Sequence, residues 1–164
     1  KLLEDPYHFW YIGKSYYDST LGDYPLGMDH IKEYARRSIF YFGQYLNFKH
    51  DYHNTGKAKE IDELAYFALY AMGDMFKLCG NYERALDCGM KAEEFAPPRN
   101  EHIVLQAECY KDLSDFDSMK LQTDRLMNPD RKLPFPEFNF LLNMEHYNDS
   151  GKYCEQLHQI ANQV

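Results

Sequence analysis

No apolar run in this chain approaches the ~20 residues that a membrane-spanning helix needs, and no signal-peptide pattern opens it. The expectation is a soluble protein of the cytoplasm. Cysteine is sparse: Cys79, Cys88, Cys109 and Cys154 lie far apart, with no CxxC and no Cys/His pairing, which excludes the usual zinc and redox frameworks. They read instead as small apolar side chains in a reducing compartment. Positive charge is also short, with 18 Lys and Arg against 26 Asp and Glu. A net charge of -8 repels phosphate, so neither nucleic acid nor an anionic membrane is expected as the main partner.

Motifs for chemistry are missing too. Gly22, Gly27 and Gly80 stand singly and punctuate helices rather than forming a GxGxxG or a P-loop. Five histidines, His8, His30, His102, His146 and His158, are scattered without a neighbouring nucleophile. The other two belong to His50-Asp51-Tyr52-His53, where a closed metal site would need further ligands that no nearby spacing supplies. That segment reads as a solvated loop. Asp112-Leu113-Ser114-Asp115 reads as a turn between helices. The sequence therefore predicts no catalytic residue, no cofactor and no metal.

Aromatic residues and helical periodicity are what the chain has in quantity. At 164 residues it is long enough for one self-standing domain; its start at Lys1 rather than methionine suggests a piece of a longer polypeptide. Leu69, Met72 and Phe76 recur at helical spacing, predicting a helix over 62–78 with Gly73 at a close approach. Gly80 can take the left-handed conformation that ends it, and Asn81 can cap the next helix. That second helix carries Ala85, Leu86, Gly89 and Ala92 on one side and stops at Pro97 and Pro98. A shift of 34 residues gives a weaker copy through Ile103, Ala107, Tyr110, Ser114, Phe116, Met119 and Leu126. Phe9, Gly13, Tyr16, Gly22 and Tyr24 give an earlier copy, whose second helix runs on to Phe48. Phe140, Met144, Tyr147, Gly151, Tyr153 and Ile160 trace a fourth. Units are thus expected at about 6–48, 62–97, 100–128 and 137–164, with an exposed loop over 49–60.

This pattern resembles the tetratricopeptide repeat, whose roles fall here to Leu69, Gly73, Phe76, Gly80, Tyr82, Ala85, Ala92 and Pro97. The resemblance implies an all-α fold of antiparallel helix hairpins, stacked as a short right-handed superhelix, an α-α solenoid. In such arrays the first helix of each unit lines a concave groove. The groove residues implied are Tyr7, Trp10, Tyr11, Lys14 and Tyr17 from the first unit, then Phe67, Tyr70, Asp74 and Lys77, followed by Val104, Glu108 and Lys111. Tyr and Trp offer apolar area with a polar edge, suited to gripping a peptide or stacking on a sugar. Packing against a neighbouring domain and packing within the core are the alternatives for the same rings.

A narrower likeness involves three segments. Asp5-Pro6-Tyr7-His8-Phe9-Trp10-Tyr11-Ile12-Gly13-Lys14-Ser15-Tyr16-Tyr17-Asp18, then Tyr34-Ala35-Arg36-Arg37, and Glu63 to Gly73 followed by Pro97, Arg99 and Glu101, resemble the helical region that follows the catalytic domain in a group of family 2 glycosyltransferases. The resemblance implies an accessory role, since the nucleotide-sugar and metal sites of such enzymes lie in a separate α/β domain. Catalysis by this chain alone is not expected. Its partners would be a protein or peptide, the catalytic domain of the same polypeptide, a carbohydrate acceptor, or a second copy forming a homodimer. The alternative is a free-standing tetratricopeptide scaffold that holds a peptide in its groove.

Overall fold

Helix formation follows the sequence closely. The computed structural model describes residues 6–22, 27–48, 58–95 and 100–126, and among them six helices and no strand occur: α1 (Pro6–Leu21), α2 (Met28–Phe48), α3 (Ala58–Leu78), α4 (Tyr82–Glu93), α5 (Glu101–Asp112) and α6 (Phe116–Leu126). The chain is all-α. Among the described residues no helix is long and apolar enough to cross a membrane. By its own contacts it divides into two units, Lys1–Pro97 and Pro98–Val164. The expected fourth repeat, most of the loop over 49–60, the His50 to His53 segment, Cys154 and the corner at Pro97, Pro98 and Arg99 lie outside the described residues.

In the first unit α1 opens on Pro6, whose fixed φ suits the first helical turn. Pro6, Trp10, Gly13 and Tyr17 are its buried face. Helix α2 runs as one long element to Phe48, as the sequence predicts, and buries Ala35, Ser38, Phe42 and Tyr45. The two helices meet most closely at Gly13: a Cβ there would lie 3.0 Å from the Phe42 ring. The same crossing is tied by Ser38, whose buried hydroxyl donates to the Gly13 carbonyl oxygen at 2.9 Å. Helix α3 begins at Ala58, four residues before the expected start. Ala58, Lys59 and Glu60 are good helix formers with no breaker after Gly56, so the helix extends back into what reads as loop.

Helix α3 runs parallel to α1, because contacts advance along both together: Trp10 with Leu64, Tyr17 with Asp74, Thr20 with Met75. The core of this unit is aromatic where α1, α2 and α3 meet, with Trp10, Phe42 and Phe67 packed edge to face or tilted at 5.4–6.2 Å. It is small where α3 meets α4, with Ala85, Cys88, Gly89 and Ala92 buried on the α4 side. Tyr66 and Leu69 close over Ala92.

Between α3 and α4 the turn forms as expected. Gly80 takes φ of 78°, its N–H bonds the Lys77 carbonyl at 2.9 Å and the Asn81 N–H bonds the Phe76 carbonyl at 2.9 Å. The Asn81 side chain caps α4 by accepting from the Arg84 N–H at 3.2 Å.

Within the second unit the α5–α6 turn repeats that scheme 34 residues on. The Ser114 N–H bonds the Lys111 carbonyl and the Asp115 N–H bonds the Tyr110 carbonyl, both at 2.9 Å. Ser114 takes φ of 61°, and Asp115 caps α6 by accepting from the Ser118 N–H at 3.1 Å. Glu101 sits in the first turn of α5, where a carboxylate complements the helix dipole. Buried Ile103, Ala107 and Cys109 from α5 and Met119, Thr123 and Leu126 from α6 fill the hairpin.

Candidate functional site

Five of the twelve groove candidates lie on α1, and the structure separates them by burial. Trp10 is 8% exposed and Tyr17 7%. The Trp10 indole N–H donates to the Leu64 carbonyl at 3.0 Å, and the Tyr17 hydroxyl donates to Asp74 at 3.1 Å. Burial first, then the Asp74 charge, pushes the Tyr17 phenol well above its usual pKa, so it stays a neutral donor. Both rings also pack on Phe67. Trp10, Tyr17, Phe67 and Asp74 thus hold α1 against α3, which places two expected surface contacts in the core. The cause is local: positions 6, 10, 13 and 17 share the helix face that α2 and α3 cover.

The remaining candidates stay accessible. Tyr11 is 65% exposed, stacked edge-on against Trp10. Tyr7, Lys14, Tyr70 and Lys77 are half-buried, with Lys14 paired to Asp18 one turn on. In the second unit Val104, Glu108 and Lys111 are half-buried on α5.

Two features were not read from the sequence. The first is a ladder of five rings along the α1–α2 seam, in the order Phe48, Phe9, Tyr41, Tyr16, Tyr34, with successive centroids 5.7–6.4 Å apart. Its sequence signal is a seven-residue spacing, 9 and 16 on α1 against 34, 41 and 48 on α2. Arg37 lies against its penultimate ring: the guanidinium is 5.6 Å over the Tyr16 ring and donates to the Tyr16 hydroxyl at 3.2 Å. Glu33 accepts from the same guanidinium at 2.8 Å, and that hydrogen bond lowers the Glu33 pKa.

The second is a cleft of about 720 Å³ bounded by α2, α3 and α4. Leu69, Met72 and Phe76 of α3 form its floor, with Leu46 and Phe95 beside them. Gly43 and Asn47 stand on the α2 wall, and Arg84, Asp87, Cys88, Lys91 and Glu94 on the α4 wall. Burial pushes the Cys88 thiol up to about 11, so at neutral pH it is a protonated, unreactive side chain. Cys79, Cys88 and Cys109 are free thiols. Among the described residues no group of three His, Cys, Asp or Glu side chains could hold a metal.

Chemically, the arrangement offers apolar area, exposed aromatic edges and fixed charges, which is equipment for binding. Comparison with protein-family models finds no match, and comparison with curated proteins finds none either.

Proposed function

We propose that the chain is a non-catalytic helical-repeat module, a tetratricopeptide-like α-α solenoid that serves as the accessory domain of a glycosyltransferase. One observation carries the repeat reading: the turn hydrogen bonds at Phe76, Lys77, Gly80 and Asn81 recur at Tyr110, Lys111, Ser114 and Asp115. A unit that recurs in backbone geometry while its side chains diverge serves to build a surface. Support for the accessory role comes from Tyr16, Tyr34 and Arg37, which belong to two of the segments that resemble the glycosyltransferase helical region and which meet in one cluster. On this reading Tyr11, Lys14, Tyr70 and Lys77 contact a carbohydrate acceptor or the catalytic domain.

A free-standing peptide-binding scaffold is the second reading, favoured by the 65% exposure of Tyr11 beside a buried Trp10. Calorimetric titration with oligosaccharides and with extended peptides separates the two. Oligosaccharide binding that Tyr11→Ala weakens about tenfold, or about 1.4 kcal/mol, supports the accessory role; binding to peptides alone supports the scaffold. Turnover of a nucleotide sugar by this chain by itself would overturn both.

A further inference from the structure

The cleft of the first unit lies apart from Tyr11 and Lys14 and has its own chemistry. We propose that it receives an amphipathic α-helix from a protein partner, with the apolar stripe of that helix on the Leu69–Met72–Phe76 floor, a carboxylate towards Arg84 and a cation towards Glu94. The proposal rests on the reading of the chain as an interaction module and names the partner's chemistry.

Three observations lead to it. First, the walls and floor are helices, which offer no strand edge, so recognition through backbone pairing is excluded and the apolar floor is left to a partner that seats side chains on it, as an amphipathic helix does. Second, Gly43 leaves the α2 wall bare: a Cβ there would meet nothing within 4 Å. A glycine inside a helix costs about 1 kcal/mol relative to alanine, and no contact with a described residue requires it here. The space it leaves is space for a visiting side chain. Third, the α4 wall carries an ordered set of charges. Asp87 and Lys91 neutralise each other at 2.7 Å. Arg84 and Glu94 then stand at opposite ends of the wall, about 15 Å apart along the helix, and no ion pair joins either to a described residue. Arg84 lies 5.7 Å over the Phe76 ring, which anchors its charge at the floor's edge. A helical segment of about ten residues with opposite charges at its ends matches that length.

The test is a surface-displayed library of helical segments about 15 residues long, each with a fixed apolar stripe and with Glu, Lys or Gln at the ends. It is sorted on the labelled full chain. Segments with opposed end charges are expected to be enriched. Gly43→Leu fills the cleft while improving helix propensity, so its fold should persist, checked by circular dichroism, and the enriched segments should bind it at least about tenfold more weakly. Arg84→Glu should reverse the preferred end charge. No enrichment, or enriched segments that bind the Gly43→Leu variant equally well, would sink the proposal. Self-association that Gly43→Leu abolishes, seen by sedimentation, would assign the cleft to a second copy and overturn it as well. Segments whose binding is lost with Tyr11→Ala but kept with Gly43→Leu would leave the interaction module standing and remove the cleft from it.

Discussion

Hairpins α3–α4 and α5–α6 share a turn and differ in what fills them. In each turn a left-handed residue is followed by a polar cap, and the same pairs of backbone groups are bonded. The seams diverge: Ala85, Gly89 and Ala92 in the first correspond to Met119, Thr123 and Leu126 in the second, and all six are buried. Backbone geometry therefore outlasts the packing that accompanies it. Alanine and glycine permit close helix approach, whereas methionine and leucine fill a wider gap with side-chain volume.

Exchanging the seams is the hardest test of that contrast. Met119→Ala removes a fully buried side chain and should cost about 2–5 kcal/mol in urea unfolding. The reciprocal Ala85→Met adds volume where there is none and should cost about 1–3 kcal/mol. An Ala85→Met variant that loses no stability would show that the α3–α4 seam already has the room of the other. Smaller effects are expected at the turns. Gly80→Ser forces a side chain to positive φ and should cost about 1–2 kcal/mol, while Ser114→Gly relieves the same strain and should stabilise by less than about 1 kcal/mol.

The smallest effect separates the caps by pH. Asp115 has its pKa lowered, first by the hydrogen bond from the Ser118 hydroxyl and then by that from the Ser118 N–H. A carboxylate with a depressed folded pKa contributes stability that is present above its unfolded value of 3.8 and is lost as pH falls through the folded one. Amide protection in the first turn of α6, taken as the exchange rate relative to that of an unstructured peptide at the same pH, should therefore fall below about pH 4, and the Asp115→Asn variant should lose that response. The Asn81 side chain that caps α4 carries no titratable group.

Local chemistry was legible where a residue acts on its own backbone. Gly80 announced a left-handed turn and Asn81 a cap, and each does so in the fold. The long α2 could be read because nothing between Met28 and Phe48 interrupts it. Long-range burial was not legible. Trp10 and Tyr17 read as groove residues from their place in the repeat; the spacing of positions 6, 10, 13 and 17 marks one face of α1, but not that α3, 54 and 57 residues away, covers it. Nor did Gly43 stand out, since its significance is the absence of neighbours around it. The ring ladder did leave a signal, a seven-residue beat that was obscured because Tyr7, Trp10, Tyr11, Ile12 and Tyr17 crowd α1 around its two positions.

The chain has one tryptophan, and its indole is clamped between α1 and α3. Tryptophan emission, excited to the red of the tyrosines, is consequently a gauge confined to the Lys1–Pro97 unit, while the circular dichroism signal draws on every helix. Following both signals through one thermal ramp measures, without any label, how closely the loss of the seam at Trp10 tracks the melting of the helices as a whole.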